Sequence, residues 1–312
     1  MINRRKFISQ TMAGAVISAS GAFPFGAYEH DPEITKISIL HTNDVHSRID
    51  PFPMDGSTKQ GLGGAAKRAK LIAAIREKEK NVLLLDSGDI FQGTPYFNFF
   101  GGEIEIKLMT EMGYDAGTMG NHDFDAGVEG FQKQLKHAEF PFIVSNYDFS
   151  DTILNGQIDK RKIIEKDGIK IGLVGAGIEL DGLVPPQLYN GTRYMDPTVE
   201  VQKQVDILKG DHNCDYVICL SHLGYKYRGG IVSDVKLAEN TTDLDLILGG
   251  HTHTFMRAPD RRQNKLGQEV LINQCGWGGM ILGKIDLHFE KNRKGKCITC
   301  LLYTSPSPRD RG

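Results

Sequence analysis

The chain alternates between short apolar runs and longer amphipathic segments. Runs rich in aliphatic and β-branched residues, each long enough for one strand, are ITKISIL (34–40), NVLLLD (81–86), AGTM (116–119), FIVS (142–145), IKIGLVG (169–175), DYVICLS (215–221), LDLILG (244–249), EVLINQ and ILGKIDLHF. Between them, apolar residues recur at helical spacing over 65–80, 102–113, 127–138, 197–210 and 231–240. Strand, helix, strand repetition predicts an α/β fold with a mainly parallel sheet. The KDG turn at 166–168 and the strand-rich end predict additional antiparallel pairing.

The size and charge of the chain suit one catalytic domain that binds a small ligand. Its 312 residues, 40% hydrophobic and 24% charged, suffice for a sizeable core. A net charge of -2 gives no basic field for nucleic acid and no polybasic patch for a membrane. Because no internal repeat or long linker interrupts residues 30–299, we predict a single domain there.

The N-terminal residues resemble an export signal. Arg4 and Arg5 precede a weakly apolar stretch that Ser, Gly and Pro24 interrupt. A spanning helix needs about 20 strongly apolar residues, whereas NRRKFIS resembles the twin-arginine signal. We predict that residues 1–29 are a signal peptide and a disordered start, with cleavage after Ala22. The protein is then exported to the periplasm or cell surface without stable membrane insertion; an uncleaved anchor and an ordinary tail are the alternatives.

The last residues do not continue the strand pattern before them. The tail CLLYTSPSPRDRG is a Pro, Ser and Arg run that no core could use, and Cys300 to Asp310 resembles the translation of a common transposon-based sequencing adapter. We predict that residues 300–312 are a library artefact and that the natural sequence diverges or continues after about Thr299. The CxxC pair of Cys297 and Cys300 is then accidental, and five cysteines, an odd number, argue against a disulfide framework.

Residues able to bind metal ions follow directly after five of the predicted strands. Binding sites in open α/β sheets form outside the carboxyl ends of strands, so these residues are expected to converge on one place. One histidine or one SGD turn after a strand is more often ordinary loop chemistry, but five such placements together indicate a site. The residues concerned are Asp44, His46, Asp89, Asn121 to Asp125, His222, His251 and His253.

The ligand types indicate two metal ions. Mixed nitrogen and oxygen ligands without a thiolate suit zinc, manganese, iron, cobalt or nickel, whereas calcium and magnesium prefer oxygen alone. Seven ligating side chains are too many for one tetrahedral site, and they suit two divalent ions that share a bridging carboxylate. Histidines without such neighbours are expected to be structural; these are His41, His137, His212 and His288.

Five motifs carry a resemblance to a known family. HTNDVHSR, LLLDSGDIFQGTP, MGNHDFD, SHLG and GGHTHTF resemble, in order and spacing, the motifs of the calcineurin-like metallophosphoesterases, in particular the 5'-nucleotidase and 2',3'-cyclic phosphodiesterase branch. The resemblance covers residues 34–289 and implies a four-layer α/β/β/α sandwich with a dinuclear site. The resemblance implies that this sequence fills every ligand position of the motif set: Asp44, His46 and His253 for one ion, Asn121, His222 and His251 for the other, and Asp89 as the bridge.

The loop GNHDFD, residues 120–125, also holds the predicted catalytic residues. The resemblance implies that His122 and Asp125 form a dyad that stabilises the transition state or protonates the leaving group. A carboxylate partner raises the pKa of an imidazole and fixes its orientation. Asp125 has an alternative as the N-cap of the helix that follows. Asp123 either orients a ligand imidazole or satisfies loop amides, and Phe124 is expected to pack.

The resemblance implies an exported phosphatase. The expected reaction is attack of a metal-activated hydroxide on the phosphorus of a phosphomonoester, with nucleoside 5'-monophosphates as the leading substrates. Three alternatives are a phosphodiesterase or pyrophosphatase for cyclic nucleotides or nucleotide sugars, sulfur-ester hydrolysis on a carrier protein, and a non-catalytic metal- or nucleotide-binding subunit.

A nucleobase pocket is not evident in residues 34–299. Two-domain members of the branch carry a C-terminal domain that stacks the base. Either the adapter has cut the gene short, or the natural protein is a stand-alone catalytic domain, and any nucleotide-specificity domain is encoded separately. The aromatic run after the second motif, Tyr96, Phe97, Phe99 and Phe100, either lines a rim or packs.

Overall fold

The computed structural model describes residues 34–290 in full and the strand at 297–306 by its backbone. The chain separates into two units, Met1–Ile34 and Thr35–Gly312. The predicted signal peptide lies outside the described residues, and the fold below is that of residues 34–290 and 297–306. The sequencing-adapter prediction for 300–312 stays a prediction.

The described residues contain strands and helices in alternation. The strands are β1 (Ile34–Thr42), β2 (Val82–Asp86), β3 (Ala116–Gly117), β4 (Tyr147–Asp148), β5 (Arg161–Lys166), β6 (Ile169–Ala176), β7 (Arg193–Tyr194), β8 (Tyr216–Ser221), β9 (Leu246–Leu248), β10 (Asp260–Gln263), β11 (Glu269–Asn273), β12 (Ile281–Glu290) and β13 (Cys297–Pro306). The α-helices are α1 (Ala65–Arg76), α2 (Pro95–Phe100), α3 (Glu103–Glu111), α4 (Gly127–Leu135), α5 (Pro197–Gly210) and α6 (Asp234–Asn240). Short 3-10 helices occupy His122–Phe124 and Pro186–Leu188.

Two large sheets carry the fold. The first has the order β13-β12-β1-β2-β3 and the second β10-β11-β9-β8-β6-β5, while β4 and β7 pair separately. The strands β1, β2 and β3 are parallel, as are β6, β8, β9 and β11. Antiparallel strands β5, β10 and β13 lie at sheet edges, and the predicted turn at 166–168 joins β5 to β6. The mixed α/β prediction is therefore confirmed.

Three apolar clusters separate four layers. Alternate residues of a strand point to opposite faces, and here both faces are buried. Leu83 and Leu85 of β2 join the cluster between the two sheets, whereas Leu84 joins a cluster with helical residues such as Ile72 of α1. On the far side of the second sheet, Val217 packs in a cluster with residues of α5 and α6. The layers are helices, sheet, sheet and helices, which confirms the predicted α/β/β/α sandwich.

Some predicted elements differ from the structure. The strand predicted at 142–145 is wrong: Phe142 and Ile143 form only isolated bridges, to Gly117 and Asp159. Its neighbour β3 has two residues, so it offers no longer ladder to extend. The short strand β10 was not predicted, because its sequence DRRQ has no apolar residue. The helix α2 was not predicted, because six residues are too few to show a helical periodicity.

Two further properties concern the cysteines and the apolar character of the helices. Cys214, Cys219 and Cys275 are free and buried. In the part of the chain that the structure describes, no helix has the length and apolar character needed to cross a membrane.

Candidate metal centre

The seven predicted metal ligands meet at one edge of the sandwich. They lie in the loops that follow β1, β2, β3, β8 and β9, at the carboxyl ends of these strands. Their ligand atoms form two groups, each with atoms within 4.8 Å of one another: Asp44, His46 and His253 in the first group, and Asp89, His222 and His251 in the second. The structure thus brings together residues from opposite ends of the described sequence.

Asp89, a member of the second group, also lies near the first. Its Oδ2 is 3.1 Å from Nε2 of His222 in the second group and 3.8 Å from Nε2 of His46 in the first. Asp44 Oδ1 is 3.4 Å from His253 Nε2 and 3.9 Å from His222 Nε2. A carboxylate that reaches both groups has the position a bridging ligand requires.

Asn121 joins the second group. Its Oδ1 lies 2.8 Å from Nδ1 of His251. A hydrogen bond to the backbone fixes the ring of His222: its Nδ1 donates to the carbonyl oxygen of Ser87 at 2.7 Å. A hydrogen bond of this kind sets the tautomer and leaves the other ring nitrogen, Nε2, free to bind a metal.

The backbone at most of these ligands is left-handed. Residues other than glycine seldom adopt positive φ, and the strain costs about 1–3 kcal/mol at each position. Such residues cluster where a function requires an unusual direction of the side chain. Five of the seven ligand candidates have a positive φ: Asp44 (φ 51), His46 (φ 51), Asp89 (φ 54), His251 (φ 69) and His253 (φ 52).

Asp123 ties two ligand loops together. Its carboxylate accepts the backbone N–H groups of Gly120 (2.8 Å), Asp89 (3.0 Å), Ile90 (3.0 Å) and Phe91 (3.1 Å). Burial and the charge of Asp89 raise the pKa of Asp123 to about 7, although the amides of Gly120 and Phe91 oppose the rise. Of the two roles left open by the sequence, satisfying loop amides is therefore the one observed. The loop after β2 and the GNHDFD loop are held as one piece.

Glycine is required where these loops meet. A Cβ atom on Gly120 would lie 2.2 Å from Oδ1 of Asp89, and one on Gly250 would lie 2.8 Å from Nδ1 of His222. Any side chain at either position would displace a candidate ligand. Phe124, as expected, packs with no exposed surface.

A buried polar network supports the GGHTH loop. The Nε2 of Gln274 donates to Asp234 Oδ2 (3.0 Å) and to the carbonyl of Gly250 (2.8 Å). Its Oε1 accepts from Thr252 Oγ1 (3.1 Å), and Ser221 Oγ donates to Asp234 Oδ1 (2.6 Å). Sequence reasoning missed this network, for which the only signal is the polar pair that ends the apolar run EVLINQ.

The predicted dyad is assembled. His122 Nδ1 donates to Asp125 Oδ2 at 2.9 Å, and this bond raises the pKa of His122. The ring centroid of His122 lies 5.3 Å from that of His46, so the imidazole stands beside the first group. The alternative role of Asp125 is wrong, because the N-cap of α4 is Ala126 and no side chain caps that helix.

The residues present fit divalent cations. Among the described residues, the buried Nε2 of His222 has no hydrogen-bond partner. Burial opposes its protonation, yet Asp89 and Asp44 raise the pKa of His222 to about 10, so the potential there is strongly negative. His46 and His253 direct Nε2 atoms at each other 3.0 Å apart. An ion with bonds of about 2.0–2.1 Å holds two tetrahedral nitrogen ligands roughly 3.3 Å apart, which is close to this separation.

The aromatic residues after the second motif differ in how far they are buried. Phe97 is buried and stacks on Phe91, with ring centroids 5.4 Å apart. Phe99 is 81% exposed and Phe100 is 49% exposed. Phe97 therefore packs, and the rim role of the exposed residues stays a prediction.

Fold, motif order and site define the class of protein. The family model for calcineurin-like phosphoesterases matches residues 37–255, and the chain belongs to this family. It is 36% identical over 286 residues to a snake venom 5'-nucleotidase of Gloydius brevicauda, covering 84% of this chain and 46% of the relative. The 5'-nucleotidase of Bos taurus is 32% identical over 303 residues, covering 88% of this chain and 50% of the relative.

A solved structure shows the same fold. The 5'-nucleotidase precursor from Thermus thermophilus superposes with a TM-score of 0.79 at 28% identity, covering 88% of this chain and 55% of the other. The chain spans about half the length of the curated relatives it matches.

Proposed function

We propose that this chain is a metal-dependent phosphomonoesterase that hydrolyses nucleoside 5'-monophosphates. The observation that carries the proposal is the pair of ligand groups with Asp89 between them, beside the His122–Asp125 hydrogen bond. The relatives named 5'-nucleotidase support the substrate class.

Each ligand candidate has a proposed role that follows from its group. Asp89 would bridge the two ions, and the remaining six residues would divide between them: Asp44, His46 and His253 on one, and Asn121, His222 and His251 on the other. Two bound divalent ions supply a water of lowered pKa and positive charge beside the phosphoryl oxygens.

His122 supplies a further hydrogen-bond donor. Because its Nδ1 is bonded to Asp125, a proton on the ring's other nitrogen, Nε2, can be directed toward a phosphoryl or leaving-group oxygen. Preorganised donors of this kind are worth about 10²–10³ in kcat. Asp125 raises the pKa of the imidazole and holds its plane.

A substrate panel tests the proposal. The chain, with and without residues 1–22, is assayed with Mn²⁺, Zn²⁺ and Co²⁺ on AMP, UDP-glucose, 2',3'-cAMP and p-nitrophenyl phosphate. AMP is expected to turn over fastest. Faster hydrolysis of UDP-glucose or 2',3'-cAMP would favour the phosphodiesterase or pyrophosphatase alternative. No turnover of any substrate by metal-loaded protein would remove the enzymatic proposal and favour a binding subunit.

We also propose export through the twin-arginine signal, which lies in residues 1–29. Its test is a fusion of residues 1–30 to a reporter. Changing Arg4 and Arg5 to lysine is expected to abolish export, since the paired arginines are the recognised feature. Export that survives the double substitution would contradict the proposal.

A further inference from the structure

Trp277 stacks on one of the candidate ligands. It is the only tryptophan in the chain, and it is partly buried. Its ring lies nearly parallel to that of His253, with centroids 5.6 Å apart and an interplanar angle of 14°. Stacked aromatic rings commonly have centroids about 4.5–7 Å apart, so this is a regular contact.

His253 differs from two other histidine ligands in how its ring is held. Nδ1 of His222 donates to a backbone carbonyl at 2.7 Å, and Nδ1 of His46 lies 3.4 Å from another. In the described part of the chain, the hydrogen bond of His253 is made by Nε2, and no protein group binds its Nδ1. The side chain is also 39% exposed. The second torsion of histidine has broad minima, so something else must define this ring plane.

The turn that carries Trp277 is bound to the first ligand loop. Gly278 N donates to the carbonyl of Asp44 at 2.7 Å. Asn43 Nδ2 donates to the carbonyl of Gly276 at 2.7 Å, and its Oδ1 accepts from Cys275 N at 2.8 Å. These hydrogen bonds fix the position of the indole relative to the backbone of Asp44, which belongs to the same ligand group as His253.

The loop between β1 and α1 braces the indole from outside. The ring of Phe52 meets Trp277 edge-on at 5.4 Å, and Lys59 Nζ lies 4.4 Å from the centre of the indole. Phe52 and Lys59 are held close by the backbone pair that closes this loop, Phe52 N to Leu62 O at 2.8 Å and Gly61 N to Phe52 O at 2.9 Å. A cation over an indole adds to its attachment.

We propose that Trp277 is a positioning residue for the first metal group: its indole fixes the ring plane of His253 and thereby sets the affinity for the ion held with Asp44 and His46. The inference rests on the proposed metal centre. At His253, the stacked indole takes the place of the Nδ1 contact with a backbone carbonyl that His222 and His46 make. A metal bond to imidazole lies in the ring plane, so a free rotation of His253 would weaken it.

Fluorescence of Trp277 tests the placement of the ion. Titration of the full-length protein with Co²⁺ is expected to quench the emission, because an ion with a partly filled d shell quenches a nearby indole, whereas Zn²⁺ does not by this route. In His253→Ala the quenching curve is expected to move to Co²⁺ concentrations roughly ten-fold higher or more. A curve that does not move in this variant would overturn the inference.

Metal affinity tests the positioning role. Calorimetric titration with Co²⁺ is compared for Trp277→Phe, which keeps a planar ring, and Trp277→Leu, which keeps only apolar volume. The Leu variant is expected to bind one of the two ions roughly ten-fold more weakly, with the Phe variant within about three-fold of wild type. Phe99→Leu, at an exposed position of α2, is the matched control and should bind both ions normally.

The outcomes separate the two proposals. Wild-type affinity for both ions in Trp277→Leu overturns the positioning role while leaving the proposed function intact. A wild-type protein that binds no Co²⁺ overturns the proposed function itself. If Trp277→Leu does not fold, Phe52→Leu removes the brace and keeps the indole; loss of affinity for one ion supports the proposal, and unchanged affinity counts against it.

Discussion

At the scale of single residues, the site depends on conformations that side chains seldom adopt. Asp44, Asp89 and His253 all have positive φ. An L-residue accepts this cost only when surrounding contacts fix it. Here those contacts include the four amides bound by Asp123 and the hydrogen bonds from N of His251 to both carboxylate oxygens of Asp44 at 3.0 Å.

The first prediction separates catalysis from metal binding. His122→Ala is expected to keep both ions and lose about 10²–10³ in kcat, because it removes a donor aimed at the reacting oxygens but no ligand. Asp89→Asn is expected to lose metal, because it removes the charge of a carboxylate that reaches both groups. Metal analysis of the purified variants, combined with turnover of AMP, measures the split. A metal-free His122→Ala protein would contradict the assignment.

At the scale of elements, the polar groups behind the loops decide whether ligands stay in place. Gln274, at the end of β11, connects Asp234 of α6 to the loop that carries His251 and His253. Burial raises the pKa of Asp234 to about 7, with Ser221 and Gln274 opposing the rise. This network therefore joins one helix, one strand end and one ligand loop.

The second prediction concerns Gln274. Gln274→Ala removes the donor to Asp234 Oδ2 and one of the two donors to the carbonyl of Gly250, so the free energy of unfolding is expected to fall by about 1–3 kcal/mol. Metal affinity should fall as well, because the loop after β9 contributes to both groups. Urea denaturation and metal titration measure the two effects. Gln187→Ala, at an exposed position, is the control, and equal behaviour of the two variants would refute the role.

The third prediction concerns Asp286 on β12. Its carboxylate is 5% exposed and accepts from Ser38 Oγ and Lys284 Nζ at 2.6 Å. Burial opposes ionisation, but these bonds and Lys36 prevail, and the pKa of Asp286 is lowered.

A lowered pKa stabilises the folded protein above the unfolded pKa, near 3.9 for aspartate. The contribution is lost as the pH falls through the folded value. Asp286→Asn is therefore expected to reduce the free energy of unfolding by about 1–3 kcal/mol at pH 7. The deficit should shrink below about pH 4. Denaturant titrations at several pH values measure it, and a deficit that does not change with pH would contradict this account.

At the scale of the whole molecule, the sequence predicted the layers better than the contacts between distant loops. The runs at β2 and β8 were recognised because strands buried on both faces are continuously apolar. The converging ligands followed from their placement after strands. The positive φ values, the Gln274 network and the stack on His253 depend on tertiary contacts, and no local pattern encodes those. The two-residue β3 shows the same limit in the fold, since pairing partners decide where a strand ends.

The fourth prediction concerns the stability of the whole domain. Ions that bind only the folded chain stabilise it, by about 2.7 kcal/mol when the free metal exceeds Kd a hundred-fold. Chelation is expected to lower Tm, and added Mn²⁺ or Zn²⁺ to restore it. Differential scanning calorimetry measures the shift, with Asp89→Asn as the variant in which it should be absent. A shift of equal size in that variant would point to binding elsewhere.

The arrangement of ligands along the chain has a consequence for synthesis. Each group takes one histidine from the loop at residues 251–253, so neither group is complete until that loop has been made. A polypeptide that ends before this point retains at most the strands β1 to β9 and lacks a full set of ligands for either ion. Metal loading would therefore distinguish chains that extend past His253 from shorter fragments.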